Sequence, residues 1–156
     1  MSTEQAVFIG QTARGNWIRL RTIILLRWVA IVGQLSALFV ANQIYRLDLE
    51  YGLCLLIVGV SVIGNLVATF IFPESKRLSE TENLLMVAFD LLQLTMLLYL
   101  TGGLHNPFAL LILGPVIIAA NVLTLRHALS IGLMAIFSAS LLAAVYLPLR
   151  TEMGFI

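Results

Sequence analysis

The sequence predicts an all-α fold, a polytopic transmembrane bundle of five helices, and three observations lead to it. Hydrophobic residues make up 60% of the 156 residues and charged residues only 11%, against about 25% charged in an ordinary soluble domain. The apolar residues gather into runs close to the length of about 17–25 residues that a helix needs to cross a hydrocarbon core. Short polar segments, YRLDLE, PESKRLSETEN, TGGLHN and LRHA, separate the runs, so neighbouring helices must run antiparallel.

The first 22 residues are polar and basic and form an N-terminal segment. Helix 1 is expected over about 23–43. Its apolar span is longer than the 7–15 residues of a signal-peptide core, and no clear A-x-A site follows it, so it is read as a retained helix. Helix 2 is expected over about 52–72. Gly59 and Gly64 here, with Gly33 and Ser36 in helix 1, are small residues that permit close helix contact. The single Cys54 lies within helix 2 and reads as a small packing residue. Helix 3 is expected over about 84–100 and helix 4 over about 108–124, where Pro115 should introduce a kink. Helix 5 is expected over about 128–148, which makes 23–148 the transmembrane bundle and leaves a tail at 149–156. Trp17, Trp28, Tyr45, Tyr51, Tyr99 and Tyr146 fall near helix ends, as an aromatic belt would.

Charge sets the expected orientation. Arg14, Arg19, Arg21, Arg27, Lys76, Arg77 and Arg126 share one side of an alternating bundle, and only Arg46 and Arg150 lie on the other. The side richer in Lys and Arg is the cytoplasmic one, so the N-terminus is placed in the cytoplasm and TGGLHNPF at the outer face. Five helices then leave the C-terminus outside, and a sixth helix with cytoplasmic domains is expected downstream. The net charge of +1 gives no sign of a nucleic-acid partner; the lipid bilayer is the expected one. No metal site is expected.

The turn between helices 3 and 4 has two readings. Gly102 or Gly103 can take the left-handed conformation that ends a helix. Asn106 suits the N-cap of helix 4 and Pro107 its first position. Those roles need no ligand. The same geometry, however, leaves backbone N–H groups free at a helix start. Asn106 adds an amide, His105 a ring that donates or accepts, and Phe108 an aromatic face. At a membrane interface such a set fits a quinone, with carbonyls on a flat ring and a tail for the lipid.

A second feature lies inside the membrane. Asp90 falls about 9 Å along helix 3 when counted from Leu84, and intramembrane carboxylates are costly unless partnered. Arg27 enters helix 1 to a similar depth. A polar cluster of Arg27, Asp90, Asn65, Gln93 and Asn121 in the cytoplasmic third of the bundle is one expectation. The other is that Arg27 snorkels to the headgroups and Asp90 is locally hydrated.

The stretch LLQLTMLLYLTGGLHNPFALLILGPVIIAA resembles the membrane domain of the RegB/PrrB/ActS family of redox-responsive sensor histidine kinases. The family's GGxxNPF signature is matched by Gly102, Gly103, Asn106, Pro107 and Phe108, with Leu104 and His105 at the variable positions. The segment WIRLRTIILLRWVAIVGQ is similar to the opening of that family. The resemblance implies a bacterial inner-membrane input domain in which this loop senses ubiquinone. It also implies a homodimer in the intact kinase and a cognate response regulator as partner. The chain lacks the kinase's phosphoacceptor box, because neither His105 nor His127 stands in an H-E-x-x-P context. It also lacks Gly-rich ATP-binding boxes and the cytoplasmic redox-active cysteine. It is therefore expected to sense or anchor rather than catalyse. Two other functions remain open at this stage, a transporter or channel subunit built around Asp90 and a passive membrane anchor.

Overall fold

The structure, a computed structural model, describes residues 20–43, 50–71, 78–147, 150–151 and 154–155. Arg14, Arg19, Arg46, Lys76 and Arg77, on which the charge count leans, lie outside the described residues. So does nearly all of the expected 1–22 segment. Among the described residues there are five α-helices: α1 (Leu20–Gln43), α2 (Tyr51–Ile71), α3 (Glu80–Leu100), α4 (Leu113–Val122) and α5 (Leu125–Ala144). Four of them are long and apolar enough to cross a membrane, α4 being the short one. A two-residue strand pair follows α5, with Arg150 opposite Phe155 and Thr151 opposite Gly154.

Where the helix bounds differ from expectation, local chemistry gives the reason. α3 starts at Glu80 rather than near residue 84. Ser79 accepts the Glu82 N–H at 3.2 Å, and the Glu82 carboxylate accepts the Ser79 N–H at 2.7 Å. This reciprocal capping box satisfies two donors that a helix start otherwise leaves open. Asp90 thus lies about 15 Å along a helix about 31 Å long, at its middle rather than in its first third. α5 likewise starts three residues early, behind Thr124 in an extended conformation.

Helix 4 departs most. Pro107–Ile112 form a 3₁₀-helix that passes into α4 at Leu113. Pro115 is then the third residue of the α-helical part, just past the junction with the 3₁₀-helix. The change of helix type thus falls within one turn of Pro115. The 3₁₀ rise of about 2.0 Å per residue also stretches the element. Six 3₁₀ and ten α residues reach about 27 Å, where sixteen α residues would reach about 24 Å. The short fourth element comes close to a hydrocarbon core of about 30 Å by this means.

α3 is the central helix. Its Val87, Leu91, Leu94 and Leu98 pack against Ile112 and Ala119 on one side and Ile131, Ala135 and Leu142 of α5 on the other. Its Leu97 and Leu100 join a second cluster with Ile31 and Leu38 of α1 and Cys54 and Val58 of α2. Cys54 is fully buried there, as its packing role predicts. Trp28, Tyr51 and Tyr99 also pack against this cluster. Outward positions are large and apolar, Phe70 being 84% exposed, which suits a surface wetted by lipid rather than water. In lipid, apolar burial adds little to helix association, and close packing and interhelical hydrogen bonds carry it.

α1 packs closely on α2, while α2, α4 and α5 all pack on α3. α1 and α3 are not a closely packed pair; besides the apolar cluster they share with α2, polar side chains bridge them. At the end of the bundle where α3 begins, Glu80 accepts the Thr124 N–H at 3.0 Å and lies 2.7 Å from His127 Nδ1. The α4–α5 turn is thereby tied to the start of α3.

Removing the capping box should cost about 1 kcal/mol. Ser79→Ala is therefore expected to lower the midpoint of denaturant unfolding in mixed micelles, while Thr81→Ala in the same turn leaves it unchanged.

Candidate functional site

The turn at 101–108 is tightly organised. Both Gly102 and Gly103 are left-handed, at φ 97° and 59°, a region that costs other residues about 1 kcal/mol or more. Gly103 also has no room for a side chain. A Cβ there would stand 2.7 Å from the Tyr146 Cβ and 3.0 Å from the Leu142 carbonyl oxygen. The turn is therefore pressed against the end of α5. The Leu147 N–H donates to the Tyr99 carbonyl at 3.0 Å, and the His105 ring lies 5.0 Å from the Tyr146 ring.

Asn106 locks the turn from within. Its Oδ1 accepts the Phe108 N–H at 2.8 Å, as an N-cap should. Its Nδ2 donates to the Thr101 carbonyl at 3.0 Å and to Thr101 Oγ1 at 2.7 Å. Thr101 Oγ1 donates in turn to the Leu97 carbonyl at 2.8 Å. The Asn106 amide nitrogen thus joins α3 to the start of helix 4. Of the turn's described side chains, Leu104, His105 and Phe108 are exposed, Phe108 at 46%. Pro107 takes the first 3₁₀ position, where its missing N–H costs nothing.

Within the bundle, Arg27 and Asp90 form an ion pair, with Nε 3.0 Å from Oδ1. Their side chains are 9% and 26% exposed. The Arg27 guanidinium also lies 5.4 Å from the centre of the Phe89 ring, within reach of a cation–π contact. The snorkelling alternative is thereby displaced by a direct pair. Gln93 lies one turn beyond Asp90 and donates through Nε2 to Gln34 Oε1 on α1 at 2.9 Å. Asn65 is fully buried and reaches α1 instead, donating to the Ile24 carbonyl at 3.3 Å. Asn121 does not belong to the cluster. It is exposed and donates to Ile117 in its own helix at 2.7 Å, because its face of α4 points away from α3.

Two residues outside the expected set complete this region. Gln34 is seven residues after Arg27, so two helical turns bring it to the same face. Ser61 is four residues before Asn65 on α2, is 2% exposed, and has no hydrogen-bond partner for its Oγ. Arg27, Gln34, Ser61, Asp90 and Gln93 all line a cleft of about 360 Å³ between α1, α3 and helix 4.

The sequence family model of the PilS-like transmembrane domain, a six-helix membrane family, matches residues 12–152. This chain belongs to the PilS-like transmembrane domain family. Two relatives of the PilS-like domain, both from Cereibacter sphaeroides, bear the name sensor histidine kinase RegB. One is 49% identical over 141 residues, covering 90% of this chain and 30% of the relative. The other, from a named strain of that species, is 50% identical over 87 residues, covering 56% of this chain and 19% of the relative. The chain thus spans less than a third of the length of these relatives. No solved structure matches it. The resemblance to RegB-type membrane domains drawn from the GGxxNPF stretch agrees with these matches.

Breaking the buried pair from one side should leave a charge unpaired in an apolar bundle. Asp90→Ala is expected to destabilise the PilS-like domain by about 3 kcal/mol. The Arg27→Met/Asp90→Leu double variant should lose much less, as read by unfolding midpoints in mixed micelles.

Proposed function

We propose that this chain is the membrane input domain of a sensor histidine kinase that responds to the redox state of the quinone pool. The observation that carries the reading is the 141-residue match at 49% identity to a protein named a sensor histidine kinase. That match runs through most of the bundle. In this reading the N-terminus is cytoplasmic and the GGLHNPF turn faces outward, in a bacterial inner membrane. A sixth helix and cytoplasmic kinase domains follow, the intact protein is a homodimer, and the output is phosphorylation of a cognate response regulator.

The chemistry of the turn supports a quinone as the sensed ligand. Gly102, Gly103, His105, Asn106, Pro107 and Phe108 form a rigid corner at one end of the bundle. His105 and Phe108 are its outward-facing rings, suited to a flat lipid-soluble partner. Asn106 acts by holding Phe108 and the first turn of helix 4 in place rather than by offering its own amide. An oxidised quinone accepts hydrogen bonds at its head oxygens, and a reduced one also donates them. Only a site that distinguishes the two can shift the bundle between signalling states, at a coupling of about 1–3 kcal/mol.

Binding of ubiquinone to the chain in lipid nanodiscs tests this reading. Phe108→Ala and Asn106→Ala are each expected to weaken binding at least about tenfold, a change equal to about 1.4 kcal/mol. Unchanged affinity in both variants contradicts a role for the turn. In the full-length protein, Phe108→Ala should leave autophosphorylation intact but insensitive to the oxidised-to-reduced quinone ratio.

A further inference from the structure

Within the turn the Asn106 amide nitrogen is already engaged and Gly103 leaves no room for a side chain beside Tyr146. The space lies next to it. The cleft between α1, α3 and helix 4 has a volume of about 360 Å³, inside the range of about 300–1,000 Å³ usual for small-molecule sites. Its walls are mainly aliphatic, and Gly33 and Gly114 widen it: a Cβ added at either would meet nothing within 4 Å.

The cleft also has unused hydrogen-bonding groups. Ser61 Oγ is buried without a partner, an arrangement that normally costs about 1–3 kcal/mol. The single bond between Gln93 Nε2 and Gln34 Oε1 leaves the Gln34 amide nitrogen and the Gln93 amide oxygen unpaired. Arg27 and Asp90 close the same cleft with a donor and an acceptor. Donors and acceptors therefore stand together within an otherwise apolar slot.

The turn connects to this slot through the 3₁₀-helix. Residues three apart eclipse in that helix type, so Phe108 shares a face with Leu111, and Leu111 lines the cleft. Phe108 thus precedes the cleft-lining Leu111 by one 3₁₀ turn, about 6 Å along the axis.

We propose that the quinone head binds in this intramembrane cleft, and not within the turn. The proposal rests on the quinone-sensing reading given above. Carbonyl oxygens of the oxidised ring accept hydrogen bonds from Ser61 Oγ and the Gln34 amide nitrogen. Hydroxyls of the reduced ring donate to the Gln93 amide oxygen and the Asp90 carboxylate. The site thereby tells the two forms apart and does so between α1 and α3.

The test is photolabelling of the chain in lipid vesicles with an azido-ubiquinone, with labelled residues located by mass spectrometry and affinity measured in parallel. Label on α1, α3 and the 111–118 segment is expected. Gly114→Leu, which fills the slot, and Gln93→Leu, which removes a polar group without adding bulk, should each lower affinity at least tenfold. Saturable binding with label confined to 101–106, and unchanged affinity in both variants, overturns the cleft while leaving quinone sensing in place. No saturable binding to the unaltered chain overturns the sensing reading and the cleft with it.

Discussion

The contact on which the bundle's arrangement depends is the ion pair between Arg27 and Asp90. Each charge placed alone near the middle of a bilayer helix costs about 2.5–3.5 kcal/mol on insertion scales. At 3.0 Å the two neutralise one another, and Phe89 covers the guanidinium. The pair also fixes geometry. α1 packs on α2, whereas its approach to α3 is not close, so two polar bridges, Arg27–Asp90 and Gln34–Gln93, span the gap. Leu97 and Leu100 share an apolar cluster with Ile31 and Leu38, and the cleft lies along the stretch from Val87 to Leu94, where the polar bridges stand.

The ends of α3 are fastened by different chemistry. At its start, the capping box and the Glu80 contacts to Thr124 and His127 hold the α4–α5 turn. At its finish, Thr101 and Asn106 hold the start of helix 4, and the Tyr99 carbonyl holds the chain beyond α5. α3, helix 4 and α5 thus form a fastened unit, and α1 with α2 lies against it. A ligand entering the cleft touches both parts at once. That is the arrangement a sensor needs, since a signal requires a ligand that interacts differently with two arrangements of the bundle.

Much of this was legible in the sequence, because a transmembrane helix is announced by length and composition. Cys54 as packing, Asn106 as cap and Pro107 as first helical residue followed from residue chemistry alone. The S-x-x-E box at Ser79 was equally visible as a pattern, and reading it would have started α3 at Glu80. The Arg27–Asp90 pair could be suspected from depth but not assigned, because helix rotation decides which faces meet. For the same reason Asn121, at a suitable depth, turned out to face away. Gln34 and Ser61 are ordinary residues within their own helices, and they gain meaning only when three helices bring them to one cleft. The 3₁₀ course of 107–112 gave no signal beyond the proline that opens it.

The proposed quinone acts on the α1–α3 gap that Arg27 and Asp90 bridge. Spin labels at the exposed positions Val40 on α1 and Met96 on α3, in a Cys54→Ala background, measure that gap by dipolar coupling in vesicles. The distance distributions are expected to differ between oxidised and reduced quinone, and to merge into one in Asp90→Asn. Identical distributions in both redox states, with quinone bound, would contradict it.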